Sequence, residues 1–193
     1  MGEGSIVQAQ LIESVPNLKF KIQEAESHHR EAVLKLLPRL ADFQIPKERK
    51  PEEFWQGDAV LVKQHFDEKN RDTRIWIAVD ETDHILGTLL LRFNQDPLNE
   101  QTNAHVEVLA VSEQAEGNGV ASQLMEMAEA ETRKQQAFIL SLNVFSNNER
   151  ARSLYQKFGF DEEMIRCIKR FWEIHPDLRL SPIGSIPINV KWK

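Results

Sequence analysis

Gln114-Ala-Glu-Gly-Asn-Gly119 lies between an apolar run at 106–111 (Val-Glu-Val-Leu-Ala-Val) and a helix-like run at 120–130. A strand that feeds a glycine-containing loop, which in turn opens a helix, is a physical device for holding anions. The first helical turn has unpaired N–H groups and the positive end of the helix dipole, so it attracts phosphate. Gly117 and Gly119 let the backbone approach an anion closely and take up torsions closed to other residues. The loop lacks the Lys-Ser/Thr ending of a P-loop, and its glycines do not fit the dinucleotide fingerprint. Read alone, it is equally an ordinary tight turn.

The order of elements around the loop narrows the choice. Upstream, 19–23 alternates as Lys-Phe-Lys-Ile-Gln, a short half-buried strand. Ser27 caps a helix in which Val33, Leu36, Leu37 and Leu40 share one face, and Pro38 should end or kink it. After the charged loop 46–51, Pro51 starts a second helix, with Glu52 and Glu53 in its first turn. Phe54, Trp55, Ala59, Val62 and Phe66 form the buried side of that helix, and Gly57 weakens it. Strands at 74–79 and 85–93 flank the polar hairpin loop 80–84, and a further strand at 105–111 enters the glycine loop.

Downstream, Val120, Leu124, Met127 and Ala128 give the next helix one apolar face. The nearly continuous apolar run at 137–145 fits a strand covered on both sides. Asn147 or Asn148 caps a last helix whose Ala151, Leu154, Tyr155 and Phe158 face inward. Residues 163–171 read as a strand, and 188–192 alternates like a final one, whose apolar side wants cover.

Gln114-x-x-Gly117-x-Gly119 after a strand resembles the acetyl-coenzyme A loop of the GNAT-type N-acetyltransferases. The resemblance continues in Asn148-x-x-Ala151-x-x-Leu154-Tyr155 and in Phe158-Gly159-Phe160, about thirty residues further on. One helix and one strand separate the two blocks, as in that family. The best-matched region is 106–160, within a domain spanning 18–193 that follows a leader at 1–17 and ends in an extension at 172–193. The resemblance implies a single α/β domain with a central, mostly antiparallel mixed sheet, splayed into a V and flanked by helices. It implies an acyltransferase that moves acetyl from acetyl-coenzyme A directly to an amine in a ternary complex, the acceptor being a small molecule. Acylation of a protein N-terminus or lysine is the alternative, as is a non-catalytic coenzyme A-binding regulatory module. A homodimer, with the last strand exchanged or kept in its own sheet, is open.

By the same resemblance, backbone amides across Ala115, Gly117, Gly119 and Val120 surround the pyrophosphate, with Ala121 at the helix start and Gln114, Glu116 and Asn118 completing the loop. Glu116 stands where many relatives carry a basic residue, and is expected to point outward. Leu109, Ala110 and Val111 lie on the strand that pairs with the pantetheine arm, and an N–H of Leu109 or Val111 can polarise the thioester oxygen. Asn148 and Ala151 flank the arm, although Asn148 also reads as a helix cap. Tyr155, the chain's only tyrosine, matches the family's general acid: a phenol stays protonated at neutral pH and can donate to a thiolate. Its bland alternative is an amphipathic ring packed on the core. Glu107 is the candidate general base, because an ammonium acceptor must lose a proton; the alternative is a carboxylate at a strand end facing solvent. His105 stands near the acceptor position. His28, His29 and His84 read as surface or loop residues, with no spacing typical of a zinc site.

Composition bounds the rest. The chain has 193 residues, 41% hydrophobic and 28% charged, with a net charge of −6. That balance argues against a general nucleic-acid binder and suits a cationic substrate. No apolar run approaches the roughly 18 residues that span a bilayer, and the N-terminus lacks the basic and apolar regions of a signal peptide, so a cytoplasmic location without membrane partners is expected. Cys167, the lone cysteine, allows no internal disulfide, suggests no metal cluster and reads as a buried apolar residue.

Overall fold

The computed structural model describes residues 18–68, 72–96 and 98–169. The leader and residues 188–192 lie outside them. Five strands form one sheet in the order β1 (Phe20–Glu24), β2 (Thr73–Asp80), β3 (Ile85–Gln95), β4 (Thr102–Val111) and β5 (Ile139–Leu142). The first four are antiparallel neighbours, and β5 pairs parallel to β4. Helices α1 (Arg30–Leu36), α2 (Gln56–Glu68), α3 (Val120–Lys134) and α4 (Glu149–Lys157) flank it.

Each face of the sheet has its own core. Ile75, Ile77, Val79, Leu90, Val108 and Ala110 pack with Val33 and Leu36 of α1, Leu37, and Ala59 and Val62 of α2. Ala78, Leu86, Leu89, Leu91, Ala104 and Val106 pack on Val120, Leu124, Met125 and Ala128 of α3, with Leu154 and Tyr155 of α4 at the margin. Alternation along β2 and from Leu89 to Leu91 of β3 sends successive residues to opposite cores, as the two-residue period of a strand requires. Met125 is the buried methionine of α3, whereas Met127 is half-buried.

Local chemistry explains several departures from expectation. Ser27 opens a 3₁₀ turn, Ser27–His29, and the capping box belongs to Glu26 and His29, so His29 is buried rather than on the surface. Pro38 ends α1 at Leu36, because it has no N–H for the ladder, and the chain continues as the 3₁₀ turn Leu37–Ala41. The second helix begins as a 3₁₀ turn, Pro51–Phe54, before α2. The run at 137–145 supplies only the four residues of β5, all half-buried, while Phe138 is 69% exposed and Val144 and Phe145 lie in the following loop. Apolar content placed a strand there, but pairing with β4 limits its length.

Residues 161–169 belong to a separate compact unit that begins at Asp161. The expected strand at 163–171 is absent over its described part, 163–169, where residues are exposed and form no ladder. Cys167 is exposed there, not buried. No helix among the described residues is long and apolar enough to cross a membrane.

Candidate active site

The site is organised by the middle of β4. Val106 pairs with Leu91 and Val108 pairs with Leu90, so Glu107 is an extra residue, a β-bulge. A regular strand would place Ala104, Val106, Val108 and Ala110 on one face. The bulge instead sends the first two to the α3 side and the last two to the α1–α2 side.

Pairing with β5 stops at the same point. Its last partners are Val106 and Leu142, while β4 continues to Val111 beside β3 alone. This divergence is the V of the sheet. Ser112 N–H donates to Leu86 O at 2.8 Å, so the alternation of antiparallel bonding turns the N–H and C=O of Leu109 and Val111 away from β3, into the gap.

The glycine loop lies at the end of that strand. A 3₁₀ turn at Glu113–Ala115 buries Ala115 and leaves Gln114 exposed. Gly117 and Gly119 have φ of 74° and 81°, left-handed values that favour glycine. Gly119 is the N-cap of α3 and has no side chain to bond the first turn, so the N–H groups of Val120 and Ala121 are left without a cap. Asn118 closes the loop by donating from Nδ2 to Glu116 O at 3.0 Å.

Glu116 does not point outward. Its carboxylate is gripped by Arg39 from the 3₁₀ turn that follows α1 and by Arg150 Nη1 of α4 at 2.6 Å. Arg39 also donates from Nε to Val111 O at 3.0 Å and pairs with Asp42. The hydrogen bond from Arg150 is the main cause that holds the Glu116 carboxyl below the ordinary range. The four formal charges cancel, so the loop carries no uncompensated carboxylate. Arg39 and Arg150 carry no motif in the sequence; only the fold brings them to position 116.

α4 supplies the other wall. Asn148 Oδ1 accepts from Ala151 N–H at 3.2 Å, so the cap reading of Asn148 is realised. Asn147 donates instead to Gln44 O. At the far end, Phe160 N–H bonds to Tyr155 O at 3.1 Å and Gly159 N–H to Gln156 O at 3.0 Å, with Gly159 at φ 77°. These bonds form a Schellman motif, and its usual apolar contact is the edge-on packing of Tyr155 against Phe160 at 5.9 Å. The Leu-Tyr-x-x-x-Gly-Phe spacing is therefore a helix-termination device that also fixes the tyrosine ring. Burial raises the Tyr155 phenol above its usual range, keeping it protonated.

On the α1–α2 side, Glu107 is ion-paired with Arg92, which stands opposite His105 on β3. The Glu107 side chain is only 13% exposed. Its Oε1 touches the guanidinium without hydrogen-bond geometry, and Arg92 Nε is buried without an acceptor. His105 is held by Ser141 Oγ at 2.8 Å and Asn143 Nδ2 at 3.3 Å, and burial lowers its pKa, keeping the ring neutral. Asp58 of α2 was not picked out by sequence reasoning. It is half-buried, and burial first, then the charge of Glu107, push its carboxyl up to about 7, against a lowering by Arg92. Phe43, Phe54 and Phe145 form an aromatic cluster with ring centroids 4.9–5.6 Å apart, joining the segments before α2 to the loop after β5.

One cluster lies elsewhere. His28, His29 and Asp83 bring potential ligand atoms within 4.8 Å of one another. His29 Nδ1 accepts Glu26 N–H at 2.9 Å, which leaves the proton on Nε2, so His29 offers no free nitrogen lone pair.

With this geometry in view, residues 36–160 match the model of the Acetyltransferase (GNAT) family. The chain belongs to the GNAT family. A curated relative, the "Uncharacterized N-acetyltransferase YdgE" of Bacillus subtilis (strain 168), is 32% identical over 95 residues, covering 49% of this GNAT chain and 59% of the relative. The chain thus spans about three fifths of that relative's length. Among solved structures, a transcriptional regulator from Bacillus halodurans C-125 is similar at 20% identity and TM-score 0.61, covering 79% of this chain and 100% of that one. AAC(6')-Iy in complex with the bisubstrate analog CoA-S-monomethyl-acetylneamine is similar at 16% identity and TM-score 0.61, covering 79% and 99%. At such identities the structural likeness is one of fold.

Proposed function

We propose that this GNAT protein transfers an acetyl group from acetyl-coenzyme A directly to a small-molecule amine, with both substrates bound together. The observation that carries the reading is the gap beside β4, with the uncapped end of α3 at one end and the Glu107 bulge at the other. Donor and acceptor sites then share one strand, which favours direct attack over a covalent relay. The fold neighbour solved with a bisubstrate analog containing CoA is compatible with a gap shared by both substrates.

The residues present fit the donor. A Cβ built on Gly117 or Gly119 would meet no atom within 4 Å, so space for an anion lies over the loop. N–H groups of Gly117, Gly119, Val120 and Ala121 would hold the phosphates. Leu109 would offer its backbone N–H and C=O to the arm and Val111 its N–H, since Val111 O is engaged by Arg39, and Asn148 would offer its side-chain Nδ2, since its Oδ1 is engaged in the cap. Bound there, the thioester supplies an activated acyl group. Tyr155 would give its proton to the departing sulfur.

Calorimetric titration with acetyl-coenzyme A, paired with thiol release on an amine panel, tests the reading. A branched side chain at Gly119 is strained at φ 81° and fills the approach to the helix end. Gly119→Val should weaken binding by about 10-fold or more. A folded Gly119→Val protein with unchanged affinity contradicts the reading. Binding without thiol release would replace the enzyme with a coenzyme-responsive module.

A further inference from the structure

The Arg39 side chain is only 24% exposed, and each nitrogen of its guanidinium is held by a different group. Nε donates to Val111 O at 3.0 Å, at the end of β4. Nη2 holds Glu116 in the glycine loop, and Nη1 holds Asp42. A guanidinium is planar and its donors point in fixed directions, so the three acceptors are fixed relative to one another. Asp42 opens the segment that leads to α2. The next residue, Phe43, packs its ring on Phe54 at 5.4 Å and on Phe145 at 5.6 Å, while Phe54 meets Phe145 at 4.9 Å. Beside them Asn147 Nδ2 donates to Gln44 O. None of the three rings belongs to either core of the sheet, so their packing clasps two loops rather than two layers.

These contacts close a circuit. From Glu116 it runs through Arg150 to α4, then back along the chain to Asn147 and Phe145. From there it crosses to Gln44 and Phe43, and Asp42 returns it to Arg39. β5 leaves β4 at Leu142, and the loop that carries Phe145 begins there. The clasp therefore ties the diverging side of the gap to the segment between α1 and α2. A donor lying over the glycine loop and the start of α3 leaves that side open to the acceptor.

We propose that Arg39 is a positioning residue that joins the donor's phosphate loop to the aromatic clasp, so that coenzyme binding sets the wall on which the acceptor is received. The inference rests on the acetyltransferase reading and goes beyond it, because Arg39 acts through Glu116, Val111 and Asp42 and not on a reacting group. A pyrophosphate on the glycine loop adds negative charge beside Glu116 and draws the guanidinium that balances it. The same guanidinium holds Val111 O and Asp42, so its shift moves the end of β4 and Phe43 together. The linkage is reciprocal: loosening the clasp weakens coenzyme binding by the factor through which the coenzyme steadies the clasp. Lysine carries the same charge as a point donor on a flexible stem and cannot hold three acceptors in one plane. Arg39→Lys therefore separates charge from geometry.

The deciding experiment needs no turnover. The protein is labelled with para-fluorophenylalanine, Phe43→Leu and Phe145→Leu assign the two fluorine signals, and coenzyme A is added to saturation as judged by calorimetry. Both signals should move in wild type. In Arg39→Lys, coenzyme A should bind within about 3-fold of wild type while the two signals move far less. Asp42→Asn, at a side chain 46% exposed, leaves Arg39 on Glu116 and Val111 and should release the clasp in the same way, even if Arg39→Lys fails to fold. Phe145→Ala should weaken coenzyme A binding by about 3-fold or more in the wild-type background and hardly at all in the Asp42→Asn background. Clasp signals that stay still in wild type, or that move fully in Asp42→Asn, overturn the proposal. On an amine that wild type turns over, Asp42→Asn should raise the acceptor KM about 5-fold or more and change kcat by less than about 3-fold. An unchanged acceptor KM overturns the role in receiving the acceptor. A wild-type protein that binds no coenzyme A overturns the acetyltransferase reading itself, and calorimetry tells that failure from the others.

Discussion

The two halves of the β4 gap are built differently. Toward the end of β4 the chain offers backbone: the turned-out edge of Leu109 and Val111, two left-handed glycines, and an uncapped helix. At the bulge it offers side chains: Glu107, Arg92, His105 and Asp58, drawn from β4, β3 and α2. Backbone recognition suits a ligand portion that never changes, such as a pyrophosphate. Side-chain recognition suits the half that differs between enzymes of one fold, because function is set by sites placed on the fold.

Substitutions on the two halves should separate affinity from chemistry. The largest effect expected within the wall formed by α4 is at Tyr155. Tyr155→Phe should slow turnover by roughly 10- to 1,000-fold and leave acetyl-coenzyme A affinity nearly intact, as read by steady-state kinetics and calorimetry. Equal loss of affinity and rate would mean that the ring is only packing against Phe160. A smaller effect is expected at the loop's charge balance. Arg150→Ala leaves Glu116 with one partner near the proposed phosphate site, and should weaken acetyl-coenzyme A binding by about 3- to 10-fold at low salt, less at high salt. A salt-independent change would argue that Arg150 acts through the packing of α4 instead.

The same contrast explains what the sequence disclosed. The region from β4 to the end of α4 was legible because its devices are local: a glycine pair before a helix, an Asn cap, and a tyrosine five residues before a phenylalanine that closes a Schellman motif. Asp58, Arg92 and Glu107 meet only after α2, β3 and β4 have packed, and no spacing announces it. Arg39 reaches Glu116 across 77 positions, which is why the carboxylate read as outward-facing. The bulge was hidden because Val-Glu-Val-Leu-Ala-Val satisfies a regular alternation, and only its pairing with Leu90 and Leu91 shows the inserted residue. Residues 163–169 failed as a strand for a related reason. Alternation permits a strand, but a partner ladder makes one, and among the described residues β5 pairs with β4 alone.

The central claim is that the backbone at the β4–α3 junction holds the coenzyme. Amide chemical shifts of the nitrogen-15-labelled protein, followed while acetyl-coenzyme A is added, test it without any assumption about the acceptor. The account predicts the largest changes at Leu109, Val111, Gly117, Gly119, Val120 and Ala121, with Asp58 and its neighbours on α2 much less affected. Changes concentrated on α1 and α2, with the glycine loop unmoved at saturation, would contradict it.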